Sequence, residues 1–479
     1  MRRLLLAGAA MAALALPATA PAFVTNDPLA PRQWYLGQDR AFDAWSQPPL
    51  LTSVRVAVVD SGIDGSHPEF AGRIVAWKSF VGGSALVDTA GHGTFVAGEI
   101  AAATDNGHGI AGMAPGARLV VAKVVRPDGT VEPYVEAEAI RWAVDQGARV
   151  VNLSLGATRD PLEPTYDFFS PLEQSAVAYA VAKGAVVVAS VGNADGNTVP
   201  WPFADYPAAF PHVIGVSAYG PDGSVPEFSN RDSLYNDIAA PGERILSTFP
   251  RKLTAKSPTC RDQGYSSCAP PPYRHGDGTS FAAPQVSAAA AMLLSIRPRL
   301  TPDQVAYLLE RSADDATPDN GCDSCRVGRD QQTGWGRLDV EAAVKTLKSG
   351  GLPTPDRLEP NDDAGASAAP LAQGRRGLTA TLDFWDDPVD VYRVRLRRGR
   401  RVTVSVRGRD GLALSLTLWK PGTEHVDGAA SLQAAHSASP ASGTARISYR
   451  ASKRGWYYVE VTLGGPGAGV YALRLSKGY

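Results

Sequence analysis

The segment Val54-Arg-Val-Ala-Val-Val-Asp60-Ser-Gly-Ile-Asp64 indicates the fold, because a short apolar run ends there in polar residues and a glycine. Similar apolar runs recur at 118–125, 150–154, 185–190 and 213–217, and helical patterns lie between them at 135–146 and 171–183. Short apolar strands that alternate with helices are typical of a parallel sheet covered on both faces. Residues 54 to about 347 therefore predict an α/β fold with a doubly wound parallel sheet.

The character of the chain changes after Lys348. The segment Gly350-Gly-Leu-Pro-Thr-Pro355 is typical of a linker. Short alternating strands separated by turn residues follow at 389–396, 401–407, 412–419, 444–449, 456–463 and 470–475. This pattern predicts an all-β sandwich. We therefore expect four parts: a signal peptide at 1–22, an α/β domain at 23–348, a linker at 349–372 and a β-sandwich at 373–479.

The composition excludes a disordered chain, since 44% of the 479 residues are hydrophobic and 20% are charged. The net charge of −1 argues against a nucleic-acid partner. That balance combines 30 basic and 40 acidic residues in 1–372 with 17 basic and 8 acidic residues in 373–479. The densest basic cluster is explained by a solvated turn, by docking to the acidic half of the chain, or by contact with an acidic cell surface. It comprises Arg393, Arg395, Arg397, Arg398, Arg400 and Arg401.

The N-terminus has the pattern of a secretory signal. Arg2 and Arg3 precede an apolar run from Leu4 to Leu16, and small residues at 18–22 offer two cleavage sites. The alternative is an uncleaved membrane anchor, but the run is shorter than the ~20 residues that span a bilayer. We expect a secreted protein, extracellular or in the cell envelope, without stable membrane insertion.

The four cysteines form two local pairs. Cys260 and Cys268 share a Pro- and Ser-rich segment, whereas Cys322 and Cys325 form a C-x-x-C among acidic residues. Two disulfides are the simplest assignment in an exported chain. A redox role for the second pair is the alternative, but neighbouring Asp side chains raise a thiol pKa rather than lower it.

Three segments carry candidate catalytic groups. Asp60 ends an apolar strand, His92 lies in Gly91-His-Gly-Thr-Phe-Val-Ala-Gly98, and Ser280 lies in Gly278-Thr-Ser-Phe-Ala-Ala-Pro284. A serine hydroxyl needs an imidazole to take its proton, and a carboxylate must hold that imidazole in the correct tautomer. Each residue alone has a structural explanation, such as a helix cap or turn. The three together predict a catalytic triad.

These motifs resemble the subtilisin-like serine peptidases, or subtilases, over roughly residues 26–347, and the order Asp, His, Ser is that of subtilisin itself. The resemblance implies a secreted serine endopeptidase that acts on proteins or peptides through an acyl-enzyme. Ser280 is then the nucleophile, His92 the general base and acid, and Asp60 its orienting group. Asn193, in Ala189-Ser-Val-Gly-Asn193, is implied as an oxyanion-hole donor.

The resemblance also implies a substrate-binding strand and a specificity pocket. Ser154, Leu155 and Gly156 are expected to pair with the substrate backbone. Asp205, which precedes Tyr206-Pro207, falls where the family places the base or rim of the pocket. A carboxylate there favours Lys or Arg before the scissile bond, while a solvated loop Asp is the alternative.

Structural calcium is a further implication. Its expected ligands are Asp27, Glu69 and Asp105, with loop carbonyls around His108 and Ile110. Glu69 stands where the family usually has Asp, and three unrelated surface acids are the alternative explanation. Two other departures concern Gln285, which stands in place of a family His, and the N-terminus, where we expect the mature-like segment to begin near Asn26 without a propeptide.

The C-terminal part resembles the bacterial pre-peptidase C-terminal domain, on Leu358-Glu-Pro-Asn-Asp-Asp363, Asp386-Asp-Pro-Val-Asp-Val-Tyr-Arg393 and Gly455-Trp-Tyr-Tyr-Val-Glu460. We expect a monomeric enzyme. The competing hypothesis is a catalytically silent binding protein whose basic C-terminal domain binds a cell-surface polyanion.

Overall fold

The structure is a computed structural model, and a few segments fall outside its description. It describes residues 22–163, 165–194, 200–254, 272–350, 352, 358, 361–365, 367–371, 377–383, 387, 389–409, 412–426, 430–438, 444–464 and 468–478. The predicted signal peptide lies outside these residues except for its last position, and so do Cys260 and Cys268.

A seven-stranded parallel sheet forms the centre of the first part of the chain. Its strands are β1 (Val54–Asp60), β2 (Ile74–Ser79), β3 (Ala117–Lys123), β4 (Val150–Leu153), β5 (Val186–Ser190), β6 (Val213–Tyr219) and β7 (Ile238–Pro241). They are arranged in the order β2-β3-β1-β4-β5-β6-β7. β1 is an interior strand, paired with β3 from Val54↔Ala117 to Asp60↔Lys123 and with β4 on its other side. Asp60 therefore lies at the carboxyl edge, where ligands bind in open α/β sheets.

Eight helices accompany this sheet in the described residues. They are α1 (Trp34–Gln38), α2 (His92–Ala101), α3 (Pro133–Asp145), α4 (Pro171–Ala182), α5 (Arg251–Thr254), α6 (Thr279–Ile296), α7 (Pro302–Arg311) and α8 (Val340–Ser349). A two-stranded antiparallel ribbon is formed by β8 (Ile245–Thr248) and β9 (Tyr273–Gly276).

The sheet is buried on both faces because alternate side chains of each strand enter different cores. Val56 and Val58 of β1 pack in the core that contains α2 and α6. Ala57 and Val59 pack in the core that contains α3 and α4. This explains the continuous apolar runs of the sequence. α6 is apolar and long enough to cross a bilayer, but 89% of it is buried here.

The expected parallel sheet is confirmed, and the five predicted strands are present. β2 and β7 were not predicted. β2 is an edge strand with half-exposed and exposed positions, so Ile74-Val-Ala-Trp-Lys-Ser79 lacks an apolar run. β7 has only four residues and ends in Pro241. The disulfide Cys322–Cys325 is present.

Two antiparallel sheets follow in the C-terminal part. Their strands are β10 (Ala369–Pro370), β11 (Leu378–Asp383), β12 (Val389–Leu396), β13 (Arg401–Gly408), β14 (Leu414–Trp419), β15 (Gln433–Ala438), β16 (Thr444–Arg450), β17 (Gly455–Leu463) and β18 (Ala468–Gly478). One sheet has the order β10-β12-β17-β14-β15 and the other β11-β18-β13-β16, with β10 and β12 the one parallel pair. Tyr392 and Val459 of the first sheet share an apolar core with Val404 and Leu473 of the second. β10 lies within the predicted linker.

A pair of aspartates joins the C-terminal part to the α/β part. The imidazole of His212 lies between Asp303 of α7, 2.8 Å from Nδ1, and Asp362, 2.5 Å from Nε2. Asp363 accepts hydrogen bonds from Gln174 of α4 at 2.9 Å and from His425 at 2.6 Å. A cavity of about 430 Å³ adjoins these residues. We call His212, Asp303 and Asp362 the interdomain latch.

Candidate active site

Asp60 and His92 meet at the carboxyl edge of the sheet. His92 is the first residue of α2, and its Nδ1 lies 2.9 Å from both carboxylate oxygens of Asp60. Gly93 permits this approach, because a Cβ there would lie 2.2 Å from the carbonyl oxygen of Gly62. The carboxylate thus holds Nδ1–H and leaves Nε2 available to accept a proton.

Ser280 is the second residue of α6, and its neighbour Phe281 contacts the imidazole of His92. The rings of Phe281 and His92 lie 5.5 Å apart. Among the described atoms, Ser280 Oγ donates to the carbonyl of Ser154 at 3.2 Å and has no hydrogen bond to His92. Gly278 precedes the helix with φ +152° and ψ +153°, a conformation that favours glycine.

The electrostatic surroundings of His92 favour its charged form. Burial lowers the pKa of His92, but the negative charge of Asp60, its hydrogen bond and the more distant Asp88 outweigh that effect. The pKa therefore lies above its ordinary value of 6.5. An imidazole in this setting accepts a proton readily, and its charged form is stabilised once the proton has arrived.

Asn193 follows β5, and its amide has a fixed orientation. Its Oδ1 accepts hydrogen bonds from the backbone N–H and the hydroxyl of Thr279, both at 3.0 Å. A Cβ built on Gly278 would lie 3.7 Å from Asn193 Nδ2. The carbonyl oxygen is thus occupied, and the Nδ2 donor lies near Gly278, directly before α6.

The predicted substrate strand and Asp205 lie together. Ala157, directly after Gly156, exchanges two backbone hydrogen bonds with Tyr206, at 2.8 and 2.9 Å. A Cβ on Gly156 would lie 3.3 Å from the Cβ of Asp205, and one on Gly192 would lie 2.1 Å from its Oδ2. The carboxyl group of Asp205 therefore lies between the substrate strand and the segment that carries Asn193.

Asp88 was not predicted, although it organises the start of α2. This buried carboxylate accepts five hydrogen bonds, from Ser61 Oγ, from the N–H groups of Ala90 and Gly91, and from the N–H and hydroxyl of Thr94. The sequence feature that points to it is the position of an Asp four residues before His92, because carboxylates stabilise helix N-termini.

Gln285, the residue that departs from the family pattern, lies in the core and not in the site. Its Nε2 donates to Glu99 at 3.0 Å, to the carbonyl of Pro241 at 2.9 Å and to that of Phe281 at 2.8 Å. The departure therefore leaves the triad geometry untouched.

The three predicted calcium ligands do not fit a single ion as they are placed. Both oxygens of Asp27 accept backbone N–H groups of the loop at 105–107, and Asp105 Oδ1 accepts the N–H of Asn26. Glu69 Oε1 accepts hydrogen bonds from the N–H of Ile110 and the hydroxyl of Tyr273. The methylene by which Glu is longer than the family's Asp therefore serves these contacts. Glu69 Oε2 is buried and lacks a hydrogen-bond partner. The described residues contain no group of three or more His, Cys, Asp or Glu side chains able to hold a metal.

Comparisons with known proteins agree with this geometry. The family model of the subtilase family matches residues 52–336. Thermitase of Thermoactinomyces vulgaris is 36% identical over 275 residues, which cover 57% of this chain and 86% of thermitase. Subtilisin E of Bacillus subtilis is 33% identical over 312 residues, covering 65% and 70%.

A longer relative extends the similarity. Fervidolysin of Fervidobacterium pennivorans is 35% identical over 327 residues, and the match spans 64% of this chain but 42% of fervidolysin. Its crystal structure, described as that of a keratinolytic enzyme related to subtilisin, superposes with a TM-score of 0.57 at 26% identity, covering 90% of this chain and 55% of that one. The structure of sphericase gives a TM-score of 0.51 at 28% identity, covering 65% and 99%.

Proposed function

Since the chain belongs to the subtilase family and is a subtilisin-like serine endopeptidase, we propose that Asp60, His92 and Ser280 form its catalytic triad. The observation that carries the proposal is the pair of 2.9 Å contacts between His92 Nδ1 and the Asp60 carboxylate. The contact of Phe281 with the same imidazole, 5.5 Å between ring centroids, supports the assignment of the neighbouring Ser280.

In the reaction that we propose, Ser280 Oγ attacks the substrate carbonyl and transfers its proton to His92 Nε2. Asp60 stabilises the imidazolium through Nδ1–H. Asn193 Nδ2 and the N–H of Ser280 stabilise the oxyanion, and the imidazolium then protonates the leaving amine. Water, deprotonated by His92, attacks the acyl-enzyme, and the imidazolium gives that proton to the departing Ser280 Oγ. In the free enzyme Ser280 Oγ donates to the Ser154 carbonyl, so it must turn from that carbonyl toward Nε2.

We further propose that the substrate backbone pairs with Ser154, Leu155 and Gly156, and that Asp205 selects a basic residue before the cleaved bond. Asp205 supports this by its position between Gly156 and Gly192. A guanidinium or ammonium group entering beside it forms a charge-assisted hydrogen bond. A cleavage profile over a peptide library tests this, and the absence of any preference for Lys or Arg contradicts it.

Export remains a proposal that rests on the sequence at 1–22. N-terminal sequencing of the mature protein from the culture medium tests it, with cleavage expected after Ala20 or Ala22. Recovery of the intact N-terminus in the cell fraction contradicts it. We propose a monomer as the active unit, to be tested by sedimentation.

We propose that residues 373–479 form a β-sandwich domain resembling the pre-peptidase C-terminal domain, with 349–372 as the linker. The core shared by the two antiparallel sheets supports the sandwich. Ala369 and Pro370, in the last part of that linker, pair with β12 of the domain. Limited proteolysis tests the boundary, since cleavage is expected between α8 and β10.

Calcium stays a prediction, supported here only by the buried and unpartnered Glu69 Oε2. Thermal unfolding of the Ser280→Ala protein with and without EDTA tests it. A bound ion raises the unfolding temperature by mass action, so EDTA lowers it if the site exists. An unfolding temperature that EDTA leaves unchanged contradicts the calcium site.

Hydrolysis of a fluorogenic peptide tests the triad. We expect Ser280→Ala to lose activity by orders of magnitude. Ser224→Ala, which changes a serine in a turn outside the site, serves as the matched control and is expected to retain activity. Comparable activity in both variants contradicts the proposal.

A further inference from the structure

Two basic turns that are distant in the sequence meet at one end of the C-terminal part. The first, Arg397–Arg401, connects β12 to β13, and the second, Arg450–Arg454, connects β16 to β17. Gly399 N–H donates to the carbonyl of Ala451 at 2.8 Å, and Ala451 N–H donates to that of Arg400 at 2.9 Å. The fold thus places a second basic turn, Arg450–Arg454, beside the basic cluster at 393–401 that is evident in the sequence.

The strand ends beside these turns extend the surface. Arg395 faces Trp456 in the β12–β17 register, and the guanidiniums of Arg393 and Arg395 lie 5.8 and 5.9 Å from the indole. Trp456 is 46% exposed. Lys477 lies beside these residues, because its Nζ donates to the carbonyl of Arg395 at 3.4 Å. We call this surface the basic end, and it comprises Arg393, Arg395, Arg397, Arg398, Arg400, Arg401, Arg450, Lys453, Arg454, Lys477 and Trp456.

Most cations of the basic end have no acidic partner among the described residues. Arg401 and Arg450 stand directly opposite each other in the β13–β16 register, and both are exposed. Like charges in that position repel. Apart from Arg400, none of its cations has an ion pair with a described residue. The sequence has no Asp or Glu at 391–409, 428–459 or 461–479.

Such a surface differs from an ordinary solvated one, in which charges of both signs are interspersed. Concentrated positive charge raises the local concentration of anions and speeds their association. Arg guanidiniums also bind carboxylate and sulfate groups through two parallel hydrogen bonds. The basic end therefore fits a ligand with repeated anionic groups.

The aromatic content narrows the class of polyanion. Single-stranded nucleic acids are bound by several aromatic rings in a basic groove, and membrane surfaces by a face with many apolar residues. Trp456 is the one exposed large hydrophobic side chain among the described residues after 350. The single indole of Trp456 is 46% exposed, with two guanidiniums over its ring, and it offers aromatic surface for one sugar ring beside cations that bind the acidic substituents.

We propose that the basic end binds an anionic polysaccharide. The site is separate from the triad, so its occupancy does not depend on the peptidase activity. It gives the enzyme an attachment point on acidic glycan, and ionic strength controls the attachment because the contacts are exposed.

Binding of full-length Ser280→Ala protein to immobilised polysaccharides tests the proposal. Heparin and polygalacturonate are the sulfated and carboxylated probes, and dextran is the neutral one. We expect retention on both anionic polymers at about 50 mM salt, release as salt approaches about 0.5 M, and no retention on dextran.

Two sets of variants locate the site. Arg397→Gln, Arg398→Gln and Arg454→Gln together are expected to weaken binding about tenfold, the combined effect of three exposed ion pairs. Lys252→Gln, Arg299→Gln and Lys348→Gln remove the same charge from exposed positions of the peptidase part and are expected to change it little. Trp456→Ala is expected to weaken binding with an unchanged salt dependence.

Three results overturn the proposal. The first is no retention on either anionic polysaccharide at about 50 mM salt. The second is equal weakening by both triple variants, which indicates net charge rather than a site. The third is binding to single-stranded DNA or to anionic phospholipid vesicles that exceeds binding to both polysaccharides. Thermal unfolding confirms that each variant is folded.

Discussion

The interdomain latch makes a quantitative prediction for the variant Asp362→Asn. The side chains of His212 and Asp362 are 4% and 12% exposed, and their nearest atoms are 2.5 Å apart. Complete loss of a partner from a buried ion pair costs about 3–5 kcal/mol. Here Asp303 still neutralises His212, and Asn keeps an oxygen of the same shape. The expected loss is therefore the difference between a hydrogen bond to a charged group and a neutral one, about 1–1.5 kcal/mol.

The same variant has a pH signature. Burial lowers the pKa of His212, but Asp362 and Asp303 outweigh it and hold the pKa well above 6.5. Because the folded-state pKa exceeds the unfolded one, the stabilisation is complete below about pH 6.5 and is lost as pH rises through the folded value. The difference in the free energy of unfolding between the wild-type protein and Asp362→Asn is thus largest near pH 6 and becomes smaller at alkaline pH.

Urea unfolding of both proteins in a Ser280→Ala background, at pH 6 and at about pH 10, measures these differences. Asp319→Asn, a change at an exposed aspartate, is the matched control and is expected to leave stability unchanged. Limited proteolysis should also release the C-terminal part of the variant faster. If Asp362→Asn does not lower the free energy of unfolding at pH 6, or lowers it equally at both pH values, the interdomain latch does not stabilise the contact between the C-terminal part and the α/β part.

Three further predictions concern the site and the core. Asn193→Ala is expected to lower kcat about 10²–10³-fold with little change in KM, the range known for one oxyanion donor in a subtilisin, and steady-state kinetics on a peptide amide checks it. Asp205→Asn is expected to reduce kcat/KM for a Lys or Arg substrate about tenfold or more while sparing a Leu substrate, since it removes one charged partner. Burial and the charge of Glu173 raise the pKa of the buried Glu136 well above its ordinary value, so the carboxyl of Glu136 progressively destabilises the fold as pH rises from its unfolded-state pKa toward its folded-state pKa. Glu136→Gln is therefore expected to raise the unfolding temperature at pH 9 but not at pH 4, and an equal effect at both would contradict the pairing.

The sequence allowed the parallel sheet to be predicted because a strand buried on both faces must be apolar at every position. The same reasoning fails at an edge, where β2 alternates exposed and half-exposed residues, and at β7, which is too short for a pattern. The beginning of the C-terminal sheets was missed for a similar reason, since β10 contributes two residues.

The candidate triad could be predicted because Asp60, His92 and Ser280 each lie in a local motif with glycines that the geometry requires. Asp88 could not, since a carboxylate before a helix has many ordinary roles and only the structure shows its five hydrogen bonds. The latch and the basic end depend on contacts between residues 50 to 150 positions apart. No local pattern reveals such contacts.

The most direct measurement of the central claim is labelling by a fluorophosphonate, followed by mass spectrometry of the modified peptide. We expect one label per molecule, on Ser280, with a labelling rate that rises as pH passes the raised pKa of His92. Ser280→Ala should remain unlabelled while Ser224→Ala labels normally. Folded wild-type protein that takes up no label, or takes it up on another serine, contradicts the account.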